Sequence, residues 1–255
     1  MRRSLVLLAV CASVVSACTG DDTPPGTNPE PPSSSASLSR SPSNASTSGP
    51  PSSEPPATSS PSPTPDGAVL VEIAPDTPAR EVDPAALAPT GSDVTGRWIG
   101  RAGEVDQVVV AVAADGDAFA RDRALWRWTP APALGGWLGV ALLEYPARRG
   151  VLSLDAVVAD VTGDRSDDVL AFALTGGSGA CGAWSVVELA SASRIYARDL
   201  CDGSVDPSTE PIGLVVTESV YRPGDPHCCP SARRESVLAY DDGGWVVARR
   251  ETTPL

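Results

Sequence analysis

The 255-residue chain carries 32 acidic and 19 basic residues, a formal charge of −13 and a pI near 4.4. All nineteen basic residues are arginines, and the acidic excess persists in residues 68–255. This balance argues against nucleic acid or an anionic membrane surface as a binding partner, and is compatible with solubility or with divalent cations.

Met1-Arg2-Arg3 opens the chain with positive charge, and an apolar run follows over residues 5–15. That run suffices for the core of a signal peptide but not for a membrane-spanning helix, which needs about 20 apolar residues. It ends in Val15-Ser16-Ala17-Cys18, which resembles the lipobox of bacterial lipoproteins: an aliphatic residue, two small residues and a cysteine. The resemblance implies a signal peptide over 1–17, cleavage before Cys18 and diacylglycerol on its thiol. It also implies residence at the extracytoplasmic face of the cell membrane. Several acyl chains, each adding about 0.8 kcal/mol per buried methylene, give a stable anchor.

Residues 18–67 are almost entirely Ser, Thr, Pro, Asn, Ala and Gly, with Leu38 the one large aliphatic residue. Such a stretch buries too little apolar surface to offset its ordering entropy, so the sequence predicts a disordered tether. Extended as polyproline II, it spans about 145 Å.

Residues 68–255 are expected to form one domain. Short valine-rich runs recur between turn signals, and no long stretch shows helical period. Strands are predicted over 68–73, 107–113, 124–129, 137–145, 152–159, 169–174, 183–189, 193–199, 212–221, 235–240 and 244–249, with a short helix starting at 84–87. Asp241-Asp242-Gly243 between the last two strands is a hairpin signal. The expected fold is all-β, a small antiparallel sandwich or a partial propeller of blade-like hairpins.

A four-residue match recurs at an offset of 67: Asp93-Val-Thr-Gly96 and Asp160-Val-Thr-Gly163, each ahead of an apolar strand. It suggests two divergent blade-like units plus a C-terminal antiparallel extension. The first copy lacks later acids and is expected to be a decayed loop that binds nothing.

Within the second copy, oxygen donors fall at alternate positions: Asp160, Thr162, Asp164, the Ser166 carbonyl and Asp168. Calcium takes six to eight hard oxygens at about 2.3–2.6 Å, and a tight loop with this alternation can wrap one ion. The run resembles the Asp-rich calcium loop of FG-GAP (integrin-α-type) and VCBS repeats. The resemblance implies a structural calcium ion held by Asp160, Thr162, Asp164, Ser166 and Asp168. Arg165 departs from the pattern, standing where the family has a glycine with positive φ, and Asp167 is extra and expected to face solvent. The competing reading is a metal-free loop whose aspartates cap its own amides.

Four cysteines lie in the folded part: Cys181, Cys201, Cys228 and Cys229. Outside the cell they should be oxidised. Cys181 and Cys201 flank a predicted hairpin and are the first choice of pair, which leaves Cys228-Cys229 as a vicinal disulfide or as two thiols, while cross-links of Cys181 and Cys201 to that adjacent pair remain open. His227 beside that pair lacks the spacing of a zinc site. The chain has one histidine and no Gly-x-Ser-x-Gly or Ser-x-x-Lys motif, so nucleophilic hydrolysis has little to stand on.

The leading expectation is therefore a membrane-anchored, non-catalytic binding or adhesion module for a cell-wall, glycan or protein partner. An envelope accessory or sensor lipoprotein binding a small ligand or glycan, with exposed tryptophans as stacking platforms, is the alternative. A hydrolase built on a carboxylate pair ranks behind both.

Overall fold

Valine favours the extended backbone because its branched Cβ restricts χ1 and packs well on a pleated surface. Here the valine-rich runs become three successive antiparallel meanders. The computed structural model describes residues 67–117, 120–176, 180–226 and 229–255. The expected signal peptide, Cys18, the tether up to residue 66, His227 and Cys228 lie outside the described residues.

The first sheet holds β1 (Val69–Val71), β2 (Ser92–Ala102), β3 (Val105–Ala114), β4 (Arg123–Ala131) and β5 (Gly136–Tyr145), in the order β1-β5-β4-β3-β2. The second holds β6 (Ser153–Ala159), β7 (Asp168–Gly176), β8 (Cys181–Glu188) and β9 (Arg194–Leu200) in sequence order. The third holds β10 (Ser204–Thr209), β11 (Ile212–Val220), β12 (Ala232–Asp241) and β13 (Gly244–Pro254), again in sequence order. The fold is all-β, and none of the three sheets closes into a barrel.

Packing is face to face. Val109 and Ala111 of β3, Leu125 of β4 and Leu143 of β5 share one core with Leu154, Val169, Ala171 and Val187 of the second sheet. Leu170 and Val186, pointing the other way, meet Leu214, Val216 and Leu238 of the third. The outer face of the first sheet is covered as well. There Val108, Val110, Val112, Trp128 and Trp137 pack against Ala79, Val82 and Leu87 of the N-terminal segment. Leu87 closes the one α-helix among the described residues, α1 (Pro84–Leu87), whose first turn is capped by Asp83 Oδ1 accepting from the Ala85 amide at 3.0 Å. Strands covered on both faces read as continuous apolar runs rather than alternating ones, which is why β3 contains Val-Val-Val-Ala-Val-Ala.

All eleven expected strands are present. The Asp241-Asp242-Gly243 signal also holds: Asp242 and Gly243, at φ 46° and 79°, form the two-residue turn between paired Asp241 and Gly244.

Two strands, β2 and β10, were not expected, and they change the repeat. Instead of two units and an extension there are three four-stranded meanders, the first carrying β1 as an added edge strand. Asp93 does not belong to a decayed loop: it lies in β2, paired with Ala113 of β3. Asp160 instead follows the end of β6. The structural counterpart of the Asp160 loop in the first sheet is thus the tight turn at Gly103 between β2 and β3, so the four-residue match is out of structural register.

Candidate functional site

The aspartate loop spans the connection from β6 to β7, between paired Ala159 and Asp168. A carboxylate that leaves water needs hydrogen bonds to stay charged. Asp168, 2 % exposed, receives three on Oδ2: from the Val161 and Thr162 amides and the Thr162 hydroxyl, each at 3.1 Å. Burial nevertheless pushes its pKa up to about 6, against the pull of those donors.

Asp160 performs the same service at the other end of the loop. Its Oδ1 accepts from the Gly163 amide at 2.6 Å and its Oδ2 from the Arg165 amide at 3.0 Å. Asp164 Oδ1 accepts from the Ser166 amide at 2.7 Å. Gly163 and Arg165 stand at φ 83° and 71°, so Arg165 adopts the left-handed conformation that the resembling loops assign to glycine.

Asp167 corrects an expectation. It is half-buried and engaged rather than free in solvent: its Oδ2 accepts from the Arg101 amide at 2.7 Å, and its own amide donates to the Arg101 carbonyl at 2.7 Å. The Gly103 amide adds a contact to Ser166 Oγ at 3.4 Å. The loop is thereby clipped onto the β2–β3 hairpin of the first sheet. On its other side Val161 enters the core shared with the third sheet. No sequence signal marks the Arg101–Asp167 pairing, because 66 residues separate its partners.

For a divalent cation, the donor set is one of hard oxygens, the chemistry calcium prefers. In this arrangement the carboxylates face loop amides. Among the described residues no group of three or more His, Cys, Asp or Glu side chains stands close enough to hold a metal.

The second expected site is a disulfide. Cys181 and Cys201 are bonded across the open end of the β8–β9 hairpin, beside the register pair Gly182–Leu200. Cys229 is exposed, its amide donating to the Pro226 carbonyl at 2.9 Å. None of the six tryptophans is exposed: Trp128 and Trp137 are buried, and Trp98, Trp126, Trp184 and Trp245 are half-buried. Comparison with known protein families, with curated proteins and with solved structures finds no match for this chain.

Proposed function

We propose that the chain is a lipid-anchored, extracytoplasmic, non-catalytic binding or adhesion module, similar to FG-GAP and VCBS repeat proteins, whose Asp160–Asp168 loop takes one structural calcium ion. The observation that carries this reading is where the loop sits. It joins two strands of the second sheet, hydrogen-bonds the hairpin of the first and contributes Val161 to the core shared with the third. An ion bound there would bear on all three sheets at once. The lipobox-like Val15-Ser16-Ala17-Cys18 supports the anchor, and the Cys181–Cys201 bridge suits an oxidising compartment.

Two measurements test it. Thermal melting of the chain with calcium and with excess chelator should differ by several degrees, and the difference should vanish in Asp164→Ala. Equal melting temperatures in both buffers refute the metal. Fractionation of a Cys18→Ala variant should find it released or unprocessed, and recovery as a mature-length membrane protein would refute the anchor.

A further inference from the structure

We propose a second site, independent of the calcium loop: a shallow cleft on the outer face of the first sheet that binds a neutral saccharide ring. The N-terminal segment covers most of that face but leaves one corner open. There a cavity of about 410 Å³ is lined by Trp126, Glu144, Asp122, Arg148, Ser92 and Pro89, over a floor that includes Val112 and Ala124. Its volume lies within the range of about 300–1,000 Å³ typical of small-molecule sites.

The cleft follows from register. Val112, Ala124 and Glu144 form one cross-strand row, and Trp126 stands two residues along β4 on the same face. The Trp126 indole is held in place from within. It stacks on Trp128, with ring centroids 6.0 Å apart and planes at 24°. Trp128 is itself fixed, 1 % exposed and lying over Gly139, where any Cβ would approach the ring to 2.5 Å. Pro89, just beyond α1, forms part of the rim.

The polar groups complete the argument. Glu144 and Arg148 are exposed, and their side chains make no hydrogen bond or ion pair with the described residues. Asp122 is fixed by accepting from the Ala147 amide at 2.7 Å. Two carboxylates, Asp122 and Glu144, offset Arg148 and Arg123 in the lining, so the cleft favours neither an anion nor a cation. An indole edged by a free carboxylate and a free guanidinium suits a ligand with a C–H face and vicinal hydroxyls. The ring's apolar face covers the indole, while its hydroxyls donate to Glu144 and accept from Arg148.

The test uses the full chain, with intrinsic tryptophan fluorescence read against cellobiose, maltose and chitobiose, and retention on insoluble cellulose and chitin. The disaccharides report a free ligand and the polymers a wall-type one. Saturable binding in either arm is expected, weakened about five-fold or more in Glu144→Gln or Arg148→Ala. These exposed side chains can be changed without disturbing the core, and unchanged melting temperatures would confirm that. Binding by none of the five carbohydrates, or binding unaltered in both variants, overturns the proposal. Neither result depends on chelator sensitivity, so this site and the calcium loop stand or fall separately.

Discussion

The first and second sheets meet in a different way from the second and third. Between the first pair, buried aliphatics from both sheets form the larger core, and beside the Asp167–Arg101 clip the polar ties are arginine side chains donating to backbone carbonyls. Arg127 Nη1 reaches the Leu189 and Ala190 carbonyls at 2.5 and 3.0 Å, and Arg123 Nε reaches the Val151 carbonyl at 2.8 Å. Burial lowers the pKa of both guanidiniums, Arg123 being further lowered by Arg121. The second pair has a smaller core and a charge network at its margin. Glu218 of β11, its side chain 13 % exposed, bridges Arg198 of β9 and Arg234 of β12, the latter at 3.0 Å. Trp245 adds an indole N–H bond to the Ile195 carbonyl at 3.0 Å. One interface is thus made of hydrophobic burial and capped backbone, the other depends in part on ionised pairs.

That difference predicts how each interface fails. Leu125 and Leu214 are both fully buried, one in each core. Truncation to alanine should cost about 2–5 kcal/mol at either site. Leu125→Ala should keep a single cooperative melting transition at lower temperature. Leu214→Ala should separate an early transition, seen in Trp245 fluorescence, as the third sheet departs first. A single transition for both variants would show the two interfaces to be equally coupled.

The aspartate loop, which touches both neighbours, gives the next largest effect. The pKa of Asp168 is raised from 3.8 to about 6 on folding, so the folded protein binds that proton more tightly than the unfolded chain. Its contribution favours the fold below about pH 4 and is lost as pH rises through 6, to the order of 3 kcal/mol. Replacing Asp168 by Asn should flatten this decline in melts between pH 4 and 7 without calcium. An identical slope in the variant would show that another group is responsible.

Smallest are the polar ties. Arg127→Met should cost about 2 kcal/mol through two uncapped carbonyls, with little change in 1 M salt. Glu218→Gln should cost about 1 kcal/mol, because its arginine partners remain partly solvated, and that cost should shrink in high salt. The reverse pattern would move the charge-dependent contact to the first interface.

What the sequence disclosed follows from how local each signal is. The strands whose apolar residues are contiguous, such as β3 and β7, were legible, as were the Asp242-Gly243 turn and the facing cysteines. β2 was hidden because Ser92-Asp-Val-Thr-Gly-Arg-Trp mixes polar and apolar residues and carries Gly96, which lies beneath the Trp98 ring. β10 was hidden because it contains Pro207 and contributes Val205 as its buried aliphatic residue. Proline is tolerated there because β10 is an edge strand, with β11 as its one hydrogen-bonded neighbour. The loop's alternating oxygens could be read from the chain. Their engagement with loop amides, and the clamp of Asp167 onto Arg101, depend on how the backbone folds back and on a hairpin far away in sequence.

The two-sided burial of β3 bears on how the chain avoids misassembly. Residues 108–113 carry no charge, no proline and no polar side chain, the composition of a segment prone to stack with copies of itself. In the native state β2 and β4 cover its edges, while the second sheet and the N-terminal segment cover its faces. All four covers must be in place before the segment is safe, and two of them come from chain synthesised after it. Slowing closure of the second sheet should therefore raise aggregation more than an equal delay in the third.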